Sequence, residues 1–257
     1  MTPWLSLWLL VGMLLAHESG RWLGRHQLAR NHAPPRGIGT AEGTVFTILG
    51  LLMAFTFHGA AGRFEARRDD VTREANAIST AYQRLRLLPE PARTSLRKEF
   101  RSYIDLRLHL YANGPDNGYA TQLRASTEQQ ARIWQQAADA AHLPGASASA
   151  PMLLLPALNT MSDIASERHA SRDDHPPPVI FLMLGTLSLL GAALAGFDSA
   201  PSRHRSWFHT LAFCVAISTT AYVILDLEFP RYGVIRLDAA GKPLLELLQS
   251  LSPADRA

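Results

Sequence analysis

Long apolar runs without charge alternate along this chain with strongly polar stretches, and the runs are of membrane-crossing length. From Val179 to Phe197 no residue is charged; at a rise of about 1.5 Å per residue, a helix of that length crosses roughly 30 Å of hydrocarbon. Trp207 to Leu225 forms a second run, interrupted only by His209 near its start and closed by Asp226, Glu228 and Pro230, where a helix should leave the bilayer. Thr44 to Ala61 is a third, apolar apart from its threonines and His58 and ended by Arg63. Threonine hydroxyls can bond back to the helix backbone, so lipid tolerates them. The N-terminal run, Trp4 to Ala16, is shorter and lacks both a basic leader and a small-residue cleavage site, so it reads as an uncleaved first helix.

The pattern therefore predicts an all-α membrane protein with four transmembrane helices in two pairs and a helical extramembrane domain inserted between spans two and three. Residues 3–62 would hold the first pair (spans about 4–22 and 44–62) and residues 63–177 the helical domain. Residues 178–228 would hold the second pair (spans 179–197 and 207–225), and residues 229–257 a C-terminal tail. Four spans put both termini on one side. The loops within each pair carry Arg21, Arg25, Arg30, Arg36, Arg203 and Arg205, which favours the cytoplasm for them. Arg63, Arg67, Arg68 and Arg73, with Arg231, Arg236, Lys242 and Arg256 in the tail, pull the other way, so both orientations stay open.

In the middle segment Val71, Ala75, Ile78, Tyr82 and Leu85 recur at alternating spacings of four and three, the seam one helix uses to pack along another. This helix should run on directly from the membrane span until Pro89 and Pro91 stop it. A second helix follows, with Leu96, Phe100, Tyr103 and Ile104 on one stripe and Arg93, Arg97 and Arg101 on another. Asn113 to Gly118 signals a turn, and Tyr119 to Ala141 a further helix around Leu123, Ile133 and Trp134. A linker of small residues from Pro144 to Pro151 leads into a helix from Met152 to about Ser171, and Pro176, Pro177 and Pro178 form a rigid entry to the next span.

Composition refines this picture little. The 257 residues carry 18% charged side chains and a formal net charge of only +3, too small for nucleic-acid binding by bulk charge. Of the 25 basic residues all but Lys98 and Lys242 are arginine. The single cysteine, Cys214, lies in an apolar run and can make no intramolecular disulfide.

Candidate chemistry is sparse. No two of the ten histidines stand three or four residues apart, so no helical zinc pair is expected. Gly37, Gly39 and Gly43 lack the spacing and the preceding strand of a phosphate loop and read as a membrane-entry turn. No nucleophile elbow, phosphate-loop lysine or carboxylate pair appears, so the reading is not an enzyme: no catalytic residues, no cofactor and no metal. Small residues at four-residue spacing, Gly50 with Ala54, Gly191 with Ala195 and Ala192 with Gly196, permit close helix packing within or between chains. His58 is an ionisable ring inside a span, either facing a bundle interior or water path or bonded to its own helix. Thr44, Ile48, Leu51, Phe55, His58 or Gly59, and Gly62 share one helical face, as in a pore-lining helix or a buried one. From Arg63 to Glu74 four bases and four acids cancel, and Glu65 with Arg68 and Asp69 with Arg73 have the spacing of pairs on a solvated helix.

The segments Gly50 to Phe57, Arg63 to Asp69 (Arg-Phe-Glu-Ala-Arg-Arg-Asp) and Glu74 to Tyr82 (Glu-Ala-Asn-Ala-Ile-Ser-Thr-Ala-Tyr) resemble the bacterial bestrophin-like domain family of four-span membrane proteins. Leu88-Pro89, the helix from Arg97 to Arg107 and Asp226-Leu227-Glu228-Phe229-Pro230 fit the same plan. The family is distantly similar to bestrophins, which are pentameric ion channels whose second span lines the pore. The resemblance implies a homo-oligomeric ion channel of the inner (cytoplasmic) membrane, which could conduct anions, with the lipid bilayer, further copies of the chain and inorganic ions as partners and no nucleic acid. It maps the pore neck to Leu51, Phe55, His58 and Gly59, the glycine standing where a bulky residue is expected, and the pore mouth or vestibule to Arg63, Arg67 and Asn76. The alternative is a non-conducting membrane sensor or scaffold whose helical domain binds a partner or ligand.

Overall fold

The computed structural model describes residues 2–31, 38–112, 118–171, 174–202, 207–230, 234 and 241–251. Every α-helix among them, in chain order, is α1 (Thr2–Asn31), α2 (Ile38–Arg84), α3 (Ala92–Ala112), α4 (Tyr119–Ala140), α5 (Ala150–Ala170), α6 (Pro178–Asp198), α7 (Trp207–Glu228) and α8 (Lys242–Ser250). A 3-10 turn, Leu85–Leu87, ends α2 ahead of Pro89 and Pro91. Of the turn expected at Asn113 to Gly118 only Gly118 is among the described residues; Gly37 and the arginines Arg36, Arg203, Arg205, Arg231, Arg236 and Arg256 also lie outside them. Gly118 precedes α4 with φ of +77°, a conformation that a side chain would strain. Gly39 and Gly43 are already helical, so the membrane-entry turn expected there is instead the first turns of α2.

Among the described residues, three helices are long and apolar enough to cross a membrane: the one that begins at Gly39, and those at Pro178–Asp198 and Trp207–Glu228. α1 is not among them, because His17 and Glu18 interrupt its apolar run, although the helix itself extends well beyond the segment expected from the sequence. The chain divides into two compact units, one of Met1–Phe64 with His175–Ile235 and one of Glu65–Asp174 with Arg236–Ala257.

In the first unit the partners follow side-chain size rather than chain order. Gly12 faces Leu189, Gly20 faces Ala193, and Gly24 meets Phe197 and Ala200; numbers rise together, so α1 and α6 are parallel. A methyl group built on Gly20 would collide with the backbone carbonyl of Ala193, and one on Gly196 with that of His17. Only glycine permits this approach, and in lipid, where apolar burial drives no association, such contact is what holds helices together. α7 runs opposite to α1, with Ser218 over Met13 and Thr210 beside His17. α2 runs with α7, from Phe46 on Phe213 to Arg63 on Glu228. Thus α1 seats on α6, a helix far from it in sequence. Gly50, by contrast, has nothing within 4 Å of a built methyl.

The second unit has a water-type core. Ile78 and Leu85 of the heptad seam, Leu96, Phe100, Tyr103 and Ile104 of α3, Ile133 of α4 and Leu154, Leu158 and Met161 of α5 are all buried in one cluster. α8, within the stretch expected to be a separate tail, belongs to this unit: Leu244 and Leu251 join the same cluster, and Arg101 donates to the Leu251 carbonyl at 3.3 Å. The tail reads as polar over most of its length, which conceals the short amphipathic helix inside it.

Candidate pore-lining face

α2 carries the residues singled out by the sequence, and its two sides have different fates. Leu49, Met53 and Ala60 are buried in a cluster with Leu184 of α6 and Ile224 and Leu227 of α7. On the opposite side Thr44, Ile48, Leu51, Phe55, His58 and Gly62 are all exposed in the single chain, at the spacings of a single helical stripe. Leu51 is 56% exposed and Phe55 66%. The stripe is therefore not buried within its own chain; lipid or another chain must cover it, or it must face a pore. Beyond residue 64 the exposed positions of α2 turn polar: Glu65, Asp69, Asn76, Thr80 and Gln83. Asn76 is among them, and its amide makes no hydrogen bond to another helix among the described residues.

Gly59 sits at the flank of this stripe and serves a neighbour. A methyl group there would lie 3.3 Å from Nη1 of Arg63, whose guanidinium folds back along the helix into the space. Arg63 in turn grips the carboxylate of Glu228 with two edges, Nη2 donating to Oε2 at 2.7 Å and Nε to Oε2 at 3.0 Å. Glu228 is fully buried, and Nδ1 of His175 lies 2.9 Å from its Oε1. The imidazole packs on Phe229, with centroids 4.7 Å apart. A buried carboxylate needs this combination of charge and hydrogen bonds to offset its loss of water. The end of α7 carries a second such acid: buried Asp226 accepts the backbone N–H of Val234 with both oxygens at 3.1 Å. In the sequence Asp226 and Glu228 read as the polar exit of a span, because long-range pairing leaves no periodic signal.

The charged turns after Gly62 also pair differently from the expected pattern within one helix. Arg67 donates to the Asp174 carbonyl at 3.1 Å, Arg73 bridges Asp70 and Glu167 at 3.2 Å each, and Glu74 is fully buried. Glu74 accepts from Nε of Arg107 and, at 2.8 Å, from Nη1 of Arg168. Arg63, Arg67, Asp70 and Glu74 follow one another at four, three and four residues, which sets them on one covered face of α2, away from the exposed stripe. Of the predicted residues, Leu51, Phe55, His58 and Asn76 are exposed positions of α2, whereas Arg63 and Arg67 turn toward protein partners.

A long helix with one open apolar stripe, packed into a bundle of apolar helices, defines a membrane protein of bestrophin-like architecture. Residues 11–241 match the Bestrophin-like domain, and the chain belongs to that family. A solved bacterial bestrophin homologue from Klebsiella pneumoniae is 14% identical with a TM-score of 0.71, covering 95% of this chain and 97% of that chain. Two point-mutant structures of a bacterial bestrophin homologue from the same organism, also 14% identical, give TM-scores of 0.72 and 0.73. They cover 93% and 97% of this chain, and 97% and 98% of theirs. At that identity the likeness shows a shared fold. No curated protein matches the chain.

Proposed function

We propose that this protein is a homo-oligomeric ion channel of the bacterial inner membrane, with α2 lining a hydrophobic neck and α1 completing a set of four spans. The observation that carries this reading is the open stripe Thr44, Ile48, Leu51, Phe55, His58 and Gly62, an apolar row that its own protomer leaves uncovered. Several copies arranged around an axis, five by analogy with bestrophins, would turn the stripes inward and close a narrow apolar ring. Such a ring resists ion passage by dewetting, so Leu51 and Phe55 set the barrier and His58 the polarity at its edge. Gly59 contributes by admitting the Arg63 side chain, and Arg63 and Arg67 by fixing α2 where it leaves the bilayer. Asn76 presents its amide to a vestibule. The arginine-rich ends of the spans make anions the ions to try first.

Flux through purified protein in liposomes tests the reading, with Phe55→Ala beside the parent chain and oligomeric mass measured for both. Removing the ring's largest side chain should raise flux several-fold at unchanged mass. Equal flux from two intact oligomers would remove α2 from the pore. The sensor reading draws on a cleft in the second unit, and it gains if neither oligomer conducts.

A further inference from the structure

The second unit contains a cleft of about 510 Å3 between α4 and α5, with Arg107 of α3 at its inner wall. Its size falls in the range of small-molecule sites, roughly 300–1,000 Å3. None of the fifteen residues lining it is acidic, while Arg107 and His169 are basic. Glu74, the partner of Arg107, is not part of the lining. Within the wall, Nε2 of Gln130 is shut off from solvent and has no hydrogen-bond partner among the described residues. A buried polar group left unpaired is costly, and a ligand atom entering the cleft would satisfy it. The opposite requirement, apolar surface, is met by Trp134 and Met161. The indole N–H of Trp134 is already bonded to Oδ1 of Asn159 at 2.9 Å, and the residue remains 39% exposed, so carbon surface is left to cover.

From a wall that holds Arg107 and no acid, the orphaned amide and the indole together we propose that this cleft binds a small organic anion, a monocarboxylate carrying a flat apolar body. The carboxylate meets Gln130 on the side of Arg107, where ionised acceptors make the stronger hydrogen bonds, and the apolar body covers Trp134. The site lies wholly within the second unit and does not depend on conduction.

Calorimetry on the full-length oligomer in detergent tests it with 3-phenylpropionate and its uncharged twin, 3-phenylpropionamide. The carboxylate should bind saturably and the amide at least about tenfold more weakly, since a charge-assisted bond is lost. Gln130→Glu, nearly isosteric, sets a negative charge in the wall and should abolish binding of the carboxylate. Ala131→Trp fills the cleft from the exposed side of α4 and should abolish binding of both compounds. Both variants are compared at parental oligomeric mass and melting temperature, which separates loss of the site from loss of fold. Equal affinity for acid and amide, binding unchanged in either variant, or no saturable binding to the parent would each overturn the proposal.

Discussion

The two units of this chain are both helical, but their cohesion has different sources. In the first, the closest contacts are backbone on backbone: α1 rides against α6 through Gly20 and Gly196, and large side chains such as Trp4, Trp8, Leu182 and Phe208 point outward. In the second, Phe100, Tyr103, Ile104, Ile133 and Leu154 are buried completely, and an ion-paired carboxylate sits beside them. The contrast follows from the solvent. Water drives apolar side chains together, whereas lipid tails are as apolar as leucine and reward only close fit. The same amino acids therefore face opposite ways in the two units, and an exposed leucine or phenylalanine in the first is no defect.

The largest effect should come from the buried charge of the second unit. Glu74→Leu removes the carboxylate that accepts from Arg107 and Arg168, both drawn from solvent, and breaking one side of a buried pair costs about 3–5 kcal/mol. Hydrogen exchange read by mass spectrometry should show faster exchange in α3 and α5 while α1 and α6 keep their protection. Equal loosening of α1 and α6 would mean that the units do not hold together by separate means.

Close packing in the first unit gives the next effect. Gly20→Ala forces a methyl into the Ala193 carbonyl, and overpacking of this kind costs roughly 1–3 kcal/mol, with the backbone unable to yield as a side chain would. A drop in melting temperature in detergent is expected. Gly50→Ala, where the protomer offers open space, should leave the protomer's fold unchanged. If the parent chain forms the proposed oligomer and Gly50→Ala dissociates it, the outer face of α2 is a subunit contact, which sharpens the distinction between glycines used within the chain and those used between chains.

Much of this was legible beforehand, for a physical reason. Spans are written in uninterrupted composition, so Val179 to Phe197 and Trp207 to Leu225 fall inside α6 and α7 nearly end to end. The stripe of α3 is written in a period, and Leu96, Phe100, Tyr103 and Ile104 are all buried. Partner choice is written in neither. The parallel seating of α1 on α6 depends on where Gly20 meets Ala193, more than a hundred residues later, and Arg63 with Glu228 or Glu74 with Arg168 are likewise joined only by the fold. A reading along one helix assigns such charges to solvent. Gly59 differs: its neighbour is an arginine one turn on in the same helix, folded back into the space, where the resemblance implies a bulky ring member.

The smallest effect concerns a charge in the second unit that stays in water. Glu90 ahead of α3 accepts the Thr94 hydroxyl at 2.7 Å and the Thr94 backbone N–H at 3.1 Å, and receives the Arg93 guanidinium. Hydrogen bonds from Thr94 first, then from Arg93, hold its carboxyl below the usual carboxylate range. The folded form thus prefers the ionised group, so its contribution is fully present above the ordinary glutamate value of 4.5 and is lost as pH falls through the lowered one. Because Glu90 is exposed, solvent screening keeps the effect local to the first turn of α3. Measured against the intrinsic rate at each pH, which itself slows in acid, the protection of the Thr94 and Ser95 amides should fall on acidification below that value in the parent chain. Glu90→Gln should abolish this step while leaving the interior of α3 as protected as before; a step that survives the substitution would assign it to another carboxylate, and one that spreads along α3 would mean that this cap, unlike the buried Glu74, carries more of the unit's cohesion than its exposure permits.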